Sequence, residues 1–144
     1  MYWVCQDEEI VSQFSRFVHV YETDMMGVVH HSNYLRFCEE ARVHWCRSNN
    51  LIENTTNAVF GLTVIGAKVE YRQAIRFGEK VDVVLQARTE GVRLIIQYLL
   101  SVDNDLRCIA ETAHCSLDLS FKVKRLDPKL IIAARNSKWT ETWL

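Results

Sequence analysis

The rhythm of apolar and polar positions along this chain switches between a period of two residues and a period of three to four, and each switch marks an element. In "FSRFVHVYE", Phe14, Arg16, Val18 and Val20 alternate with Ser15, Phe17, His19 and Tyr21, which predicts a strand over Phe14 to Glu22. From about Asn33 to Asn49, Tyr34, Cys38, Ala41 and Trp45 recur at helical spacing, with Leu35 and Cys46 widening the stripe. That predicts one long helix, capped by Ser32 or Asn33.

Beyond the polar link "NNLIENTTN" the chain turns β-like. "LTVIGAKVEYRQAI", "KVDVVLQARTE", "RLIIQYLLSVD" and "RCIAETAHCSLDLSFKV" are long and rich in β-branched and aromatic residues. "FGEK", "EGV" and "DNDL" supply the Gly, Asn and Asp of tight turns, so consecutive strands are expected as antiparallel neighbours in a meander. "DPKLIIAARNSKW" closes the chain as a short helix with Asp127 as N-cap and Pro128 in the first turn. The pattern therefore predicts an α+β fold with a five-stranded antiparallel sheet, one long helix and a short C-terminal helix. "LIIQYLL" is apolar on both faces, so the sheet surface away from the helix needs a cover, for which a second copy of the chain is the simplest candidate.

Composition narrows the reading. A chain of 144 residues fits one domain, spanning 1–144, and 49% hydrophobic with 24% charged residues suits a compact core. The 17 basic and 18 acidic side chains leave a net charge of −1, which gives no field for nucleic acid. "MYWVCQDEEI" lacks the basic region and apolar run of a signal peptide, and no segment reaches membrane-spanning length, so a soluble, cytoplasmic protein without membrane insertion is expected. Cys5, Cys38, Cys46, Cys108 and Cys115 show no metal-binding spacing and are expected as free, mostly buried thiols; no metal site and no cofactor are expected.

The chemistry concentrates in "YETDMMGVVHHSNYLRFCEEAR", residues 21–42, where a strand-like segment runs into the helix. A helix start presents unpaired N–H groups that hold negative charge, and a carboxylate beside it is a candidate base or nucleophile. On spacing alone, Asp24 reads first as a turn residue accepting backbone hydrogen bonds, and His31 as a helix-entry histidine bonded to backbone.

The Asp turn, Gly27, Val28–Val29, His31, Asn33–Tyr34–Leu35 and the Glu39-x-Ala41-Arg42 segment together resemble the 4-hydroxybenzoyl-CoA thioesterase family of hotdog-fold proteins, in its YbgC-like acyl-CoA thioesterase branch. "EYRQAIRFGEKVDV" is a second, weaker match. The resemblance implies a homodimer or homotetramer that binds acyl-CoA between subunits and hydrolyses its thioester without metal or bound cofactor. It puts Asp24 at the catalytic aspartate and His31 at the family's histidine, with the backbone N–H around His31 polarising the carbonyl. Gly27, Val29, His30 and Arg72 become candidate substrate-binding residues. Arg76, Lys122, Lys124, Arg125 and Lys129 are further cations for coenzyme A phosphates, and Met25, Met26 and Phe60 are candidates for an acyl pocket. The chain departs from the pattern at His30, where relatives often carry an aromatic residue, and at Tyr21, one position away from a family tyrosine. Alternatives are a non-catalytic acyl-CoA binding protein, a hotdog dehydratase, and a thioesterase acting on acyl carrier protein.

Overall fold

The computed structural model describes residues 12–52 and 62–144. In chain order these form β1 (Ser12–Phe17), a single 3-10 turn (Val20–Glu22), α1 (Ser32–Ser48), β2 (Leu62–Tyr71), β3 (Lys80–Glu90), β4 (Arg93–Val102), β5 (Asp105–Leu117), β6 (Val123–Lys124) and α2 (Pro128–Asn136). All pairings are antiparallel, in the order β1-β3-β4-β5-β2, and the two-residue β6 adds a short sixth strand beside β5. The sheet carries α1 on one face, the hotdog arrangement that the junction's resemblance implied.

The helix stripe is buried as its spacing requires: Tyr34, Cys38, Ala41, Trp45 and Cys46 join the core, together with Phe37. Leu35 instead lies on the outer side. Opposite them stand Val81, Val83, Leu85 and Ala87 of β3, Leu94, Ile96, Tyr98 and Leu100 of β4, and Cys108 and Ala110 of β5, alternate residues that share one face. Polar side chains on this face are linked to one another. Arg42 donates to Tyr98 Oη at 3.2 Å, Tyr98 Oη and Thr112 Oγ1 lie 2.7 Å apart, and His114 Nε2 meets Thr112 Oγ1 at 2.8 Å. Burial, aided by the Arg42 charge, pushes the His114 imidazole down to about 4, so it stays neutral. The four described cysteines are free and buried.

Three expectations are corrected. The first strand ends at Phe17, and residues 20–22 tighten into the 3-10 turn because Glu22 folds back on His19. The four later segments are not a simple meander: β3, β4 and β5 are, but β2 pairs with β5 at the far edge. "FGEK" therefore does not close a hairpin; its Gly78 N–H donates to Val18 O, and residues 72–79 cross the end of the sheet. Lastly, neither Ser32 nor Asn33 is the N-cap of α1, a position held by His31; the Ser32 N–H is accepted at 3.2 Å by His30 Nδ1. The C-terminal expectation holds, with Asp127 accepting from the Lys129 N–H at 2.8 Å.

The face of the sheet away from α1 is partly covered by the chain's own tail. Gln86 and Gln97, both fully buried, sit side by side on β3 and β4 and are linked at 3.1 Å. Gln86 accepts from the Thr140 N–H and donates to Glu141 O, and Gln97 accepts from the Trp143 N–H. Among the described residues no helix is long and apolar enough to cross a membrane.

Candidate functional site

The site is a loop, residues 23–31, fixed at both ends. At its base Thr23 bridges Val29, and the next bridge joins Val28 to Arg76 of the crossover. The Val29 N–H donates to Ile75 O at 2.7 Å, while Ile75 is fully buried. Glu22 O accepts from both the His30 N–H at 2.9 Å and Asn33 Nδ2 at 2.8 Å, which ties the helix start to the 3-10 turn. Thus the crossover between β2 and β3 serves as the floor on which the loop rests.

Beneath the loop lies an ion cluster that sequence reasoning missed. The Arg16 guanidinium donates to Glu22 Oε1 at 2.8 Å and reaches Glu40 Oε2 at 2.8 Å, with its carbon 4.1 Å from the centre of the Phe37 ring. Burial alone would raise the Glu22 carboxyl, but hydrogen bonds from Arg16 and the His19 N–H, with the Arg16 charge, hold it below its ordinary value. Arg36, one helical turn before Glu40, contacts Asn33 Oδ1 at 3.5 Å, and Glu40 goes to Arg16.

Asp24 sits at the top of the loop and is exposed. Its Oδ1 accepts from the Met26 N–H at 2.7 Å and more weakly from Val28 at 3.4 Å, and its own N–H donates to Val28 O. The turn reading of Asp24 therefore holds as geometry. It leaves Oδ2 without a protein partner among the described residues, so the turn orients the carboxylate while one oxygen faces out. Gly27, at φ +74°, closes this turn in the left-handed region, with open space where a side chain would begin.

At the helix start, Asn33 N–H donates to His30 O and Tyr34 N–H to His31 O, and Ser32 N–H is taken by His30. Among the described residues the His31 N–H makes no hydrogen bond. The His31 carbonyl is held by Tyr71 Oη at 3.2 Å, and the Tyr71 ring packs edge-on against Tyr34 at 4.9 Å. Burial raises the Tyr71 phenol, which keeps it a donor. Tyr71 was missed in the sequence because at the end of an alternating strand it reads as an ordinary β residue.

The other predicted residues separate. The His30 and His31 rings lie against each other, 4.1 Å between centres, and His30 is spent on the helix start. No hydrogen bond joins the His31 ring to Asp24 among the described residues. Val29 is buried in the core, so within one chain it anchors the loop and does not line a surface. Arg72 is half-exposed and paired with Glu70 at 2.6 Å. Met25 and Met26 are fully exposed and enclose no acyl pocket in a single chain, and Phe60 lies outside the described residues. Lys122, Lys124, Arg125 and Lys129 lie toward the opposite end: Tyr71 pairs with Cys108 but Leu62 with Ser116, about 30 Å along β2 at 3.3 Å per residue. Among the described residues no cluster of His, Cys, Asp and Glu is arranged to hold a metal ion.

Comparison with known proteins gives the family and the fold. Residues 18–134 match the family described as the thioesterase-like superfamily. A 1,4-dihydroxy-2-naphthoyl-CoA hydrolase of Nostoc punctiforme is 28% identical over 132 residues, covering 90% of this chain and 86% of that protein. The acyl-CoA thioesterase YbgC of Helicobacter pylori is 35% identical over 78 residues, covering 47% of this chain and 59% of that protein. Among solved structures, Slr0204, a 1,4-dihydroxy-2-naphthoyl-CoA thioesterase from Synechocystis, superposes with a TM-score of 0.79 at 24% identity, covering 87% of this chain and 96% of that one.

Proposed function

This chain belongs to the thioesterase-like superfamily, and on that premise we propose that it hydrolyses acyl-CoA thioesters to the free acid and coenzyme A. The observation that carries the reading is the pairing, within one loop, of a backbone N–H at His31 that has no partner among the described residues with an oriented carboxylate at Asp24. The carbonyl oxygen of the thioester accepts from the His31 N–H, aided by the positive end of α1, and this donor strengthens as the oxygen gains charge. Asp24 Oδ2 either attacks the carbonyl carbon, giving a mixed anhydride that water then opens, or removes a proton from the attacking water. On both routes the coenzyme A sulfur leaves as thiolate and takes up one proton.

The working unit is a homodimer or a pair of dimers. Supporting this, β2 is a ten-residue strand at the sheet edge, and its Val64 and Ile65 are half-exposed. A long open edge invites pairing with a second copy. Tyr21, Met25, Met26 and Phe77, exposed in one chain, then have a surface to face. Gly27 and His30 form the substrate's side of the loop, and Arg72 supplies a cation at the same end of the sheet for coenzyme phosphates. An acyl carrier protein in place of free coenzyme A is the alternative handle. The test is thiol release from a panel of short-chain, long-chain and aromatic acyl-CoAs. Release from at least one class is expected; acyl-CoA binding without release from any of them would leave a binding protein or a carrier-protein substrate.

A further inference from the structure

The hairpin joining β5 to β6 exposes what most turns hide. Leu119 and Phe121 at its tip are 103% and 84% exposed, with Val123 behind them also in solvent. Lys122, Lys124, Arg125 and Lys129, all exposed, surround them. The carboxylates of residues 118–129 are Asp118 and Asp127, and each accepts from backbone N–H groups: Asp118 Oδ1 from Ser120 at 2.8 Å and Lys122 at 3.0 Å, and Asp127 from Lys129. Over residues 118–129 the four cations outnumber the two carboxylates, which makes this stretch basic in a chain whose net charge is −1.

The tip is also a fixed object. Phe121 N–H donates to Asp118 O at 3.0 Å and Asp118 N–H to Lys122 O at 2.9 Å. Phe121 holds a φ of 60°, a left-handed conformation that a bulky residue adopts only where the surrounding bonds impose it. Glycine or asparagine would fit that position with less strain, yet the chain places an aromatic ring there and aims it at solvent.

We propose that this hairpin is a contact for anionic membrane surfaces, with Leu119 and Phe121 entering the interfacial layer and the four cations meeting lipid headgroups. Charge complementarity selects an anionic surface. The arrangement fits a bilayer interface, which accepts a small apolar wedge at the headgroup boundary and meets flanking cations with its own charge. The inference stands apart from the thioester chemistry, since the tip lies toward the other end of the sheet from Asp24 in the same chain.

The experiment is flotation of the full chain with vesicles of phosphatidylcholine, alone or mixed with phosphatidylglycerol, for the unmodified protein, Leu119→Ser/Phe121→Ser and Lys122→Glu/Lys124→Glu. The unmodified protein is expected to float with the mixed vesicles and to be released by added salt. Each double variant is expected to lose about tenfold or more in vesicle affinity with an unchanged melting temperature. Absence of flotation, or flotation equal in all three proteins, overturns the proposal. A fall in solution mass for the apolar variant without any vesicle effect would assign the tip to a second copy. A raised KM for acyl-CoA in the charge variant without any vesicle effect would assign the cations to substrate, and either result overturns it.

Discussion

Glu22 and Asp24 are two carboxylates two positions apart with opposite fates. Glu22 is buried against Arg16 and the His19 N–H, and Asp24 is exposed with one oxygen anchored and one turned out. Their difference was not legible from residue type. Asp24 was picked out only by the resemblance of its junction to a thioesterase family; on spacing alone it read as a turn residue. Arg16 and Glu22 looked like the polar members of an alternating strand, because a contact from β1 to a 3-10 turn and on to α1 leaves no periodic trace. Replacing Glu22 by Ala is expected to cost about 2–3 kcal/mol, since it removes charged hydrogen bonds and leaves Arg16 with Glu40 alone. Urea unfolding at neutral pH measures this. Tyr71→Phe should barely change stability but should loosen the His31 carbonyl, and a several-fold fall in kcat is expected on the proposed mechanism.

At the scale of elements, α1 and α2 were readable because helical spacing and the Asp127–Pro128 start are local signals. The strand order was not. Turn residues announce that a chain reverses, but "FGEK" is followed by a strand that pairs with β1 and β4, while β2 waits at the far edge for β5. Only long-range pairing decides this, and it is the crossover so created that supports the site through Ile75 and Arg76. Gly27 closes the turn of the loop that rests on this crossover. At φ +74° with no atom within 4 Å of an added Cβ, Gly27→Ala meets no clash, so its cost is backbone strain of about 1 kcal/mol. A drop in melting temperature of a few degrees, with a larger proportional loss of turnover, is expected as the Asp24 turn shifts.

For the molecule as a whole, acid should unfold it in steps that its buried groups define. His114 is neutral inside the fold at about 4 but ordinary, near 6.5, when unfolded. The unfolded chain therefore binds the extra proton first, and stability falls as pH drops from about 6.5 toward 4. Glu22 acts at lower pH in the same direction: its contribution is present above the ordinary carboxylate range and is lost as pH falls through its depressed folded value. Denaturant titrations between pH 7 and pH 4 should show this slope, and His114→Gln should flatten its upper part. The apolar character of "LIIQYLL" correctly signalled burial on both faces, but part of the cover is the chain's own tail across Gln86 and Gln97. Sequence periodicity cannot say what lies on the second face, because it records only that water is excluded.

The central claim is that Asp24 performs chemistry and does more than shape a turn, and Asp24→Asn separates the two roles. An asparagine Oδ1 still accepts from the Met26 N–H, so the loop and the melting temperature are expected to be preserved. Measured by thiol release on the acyl-CoA that the unmodified protein turns over best, kcat should fall by about 100-fold or more. A variant with near-normal kcat would contradict the account and return Asp24 to the role of a turn residue.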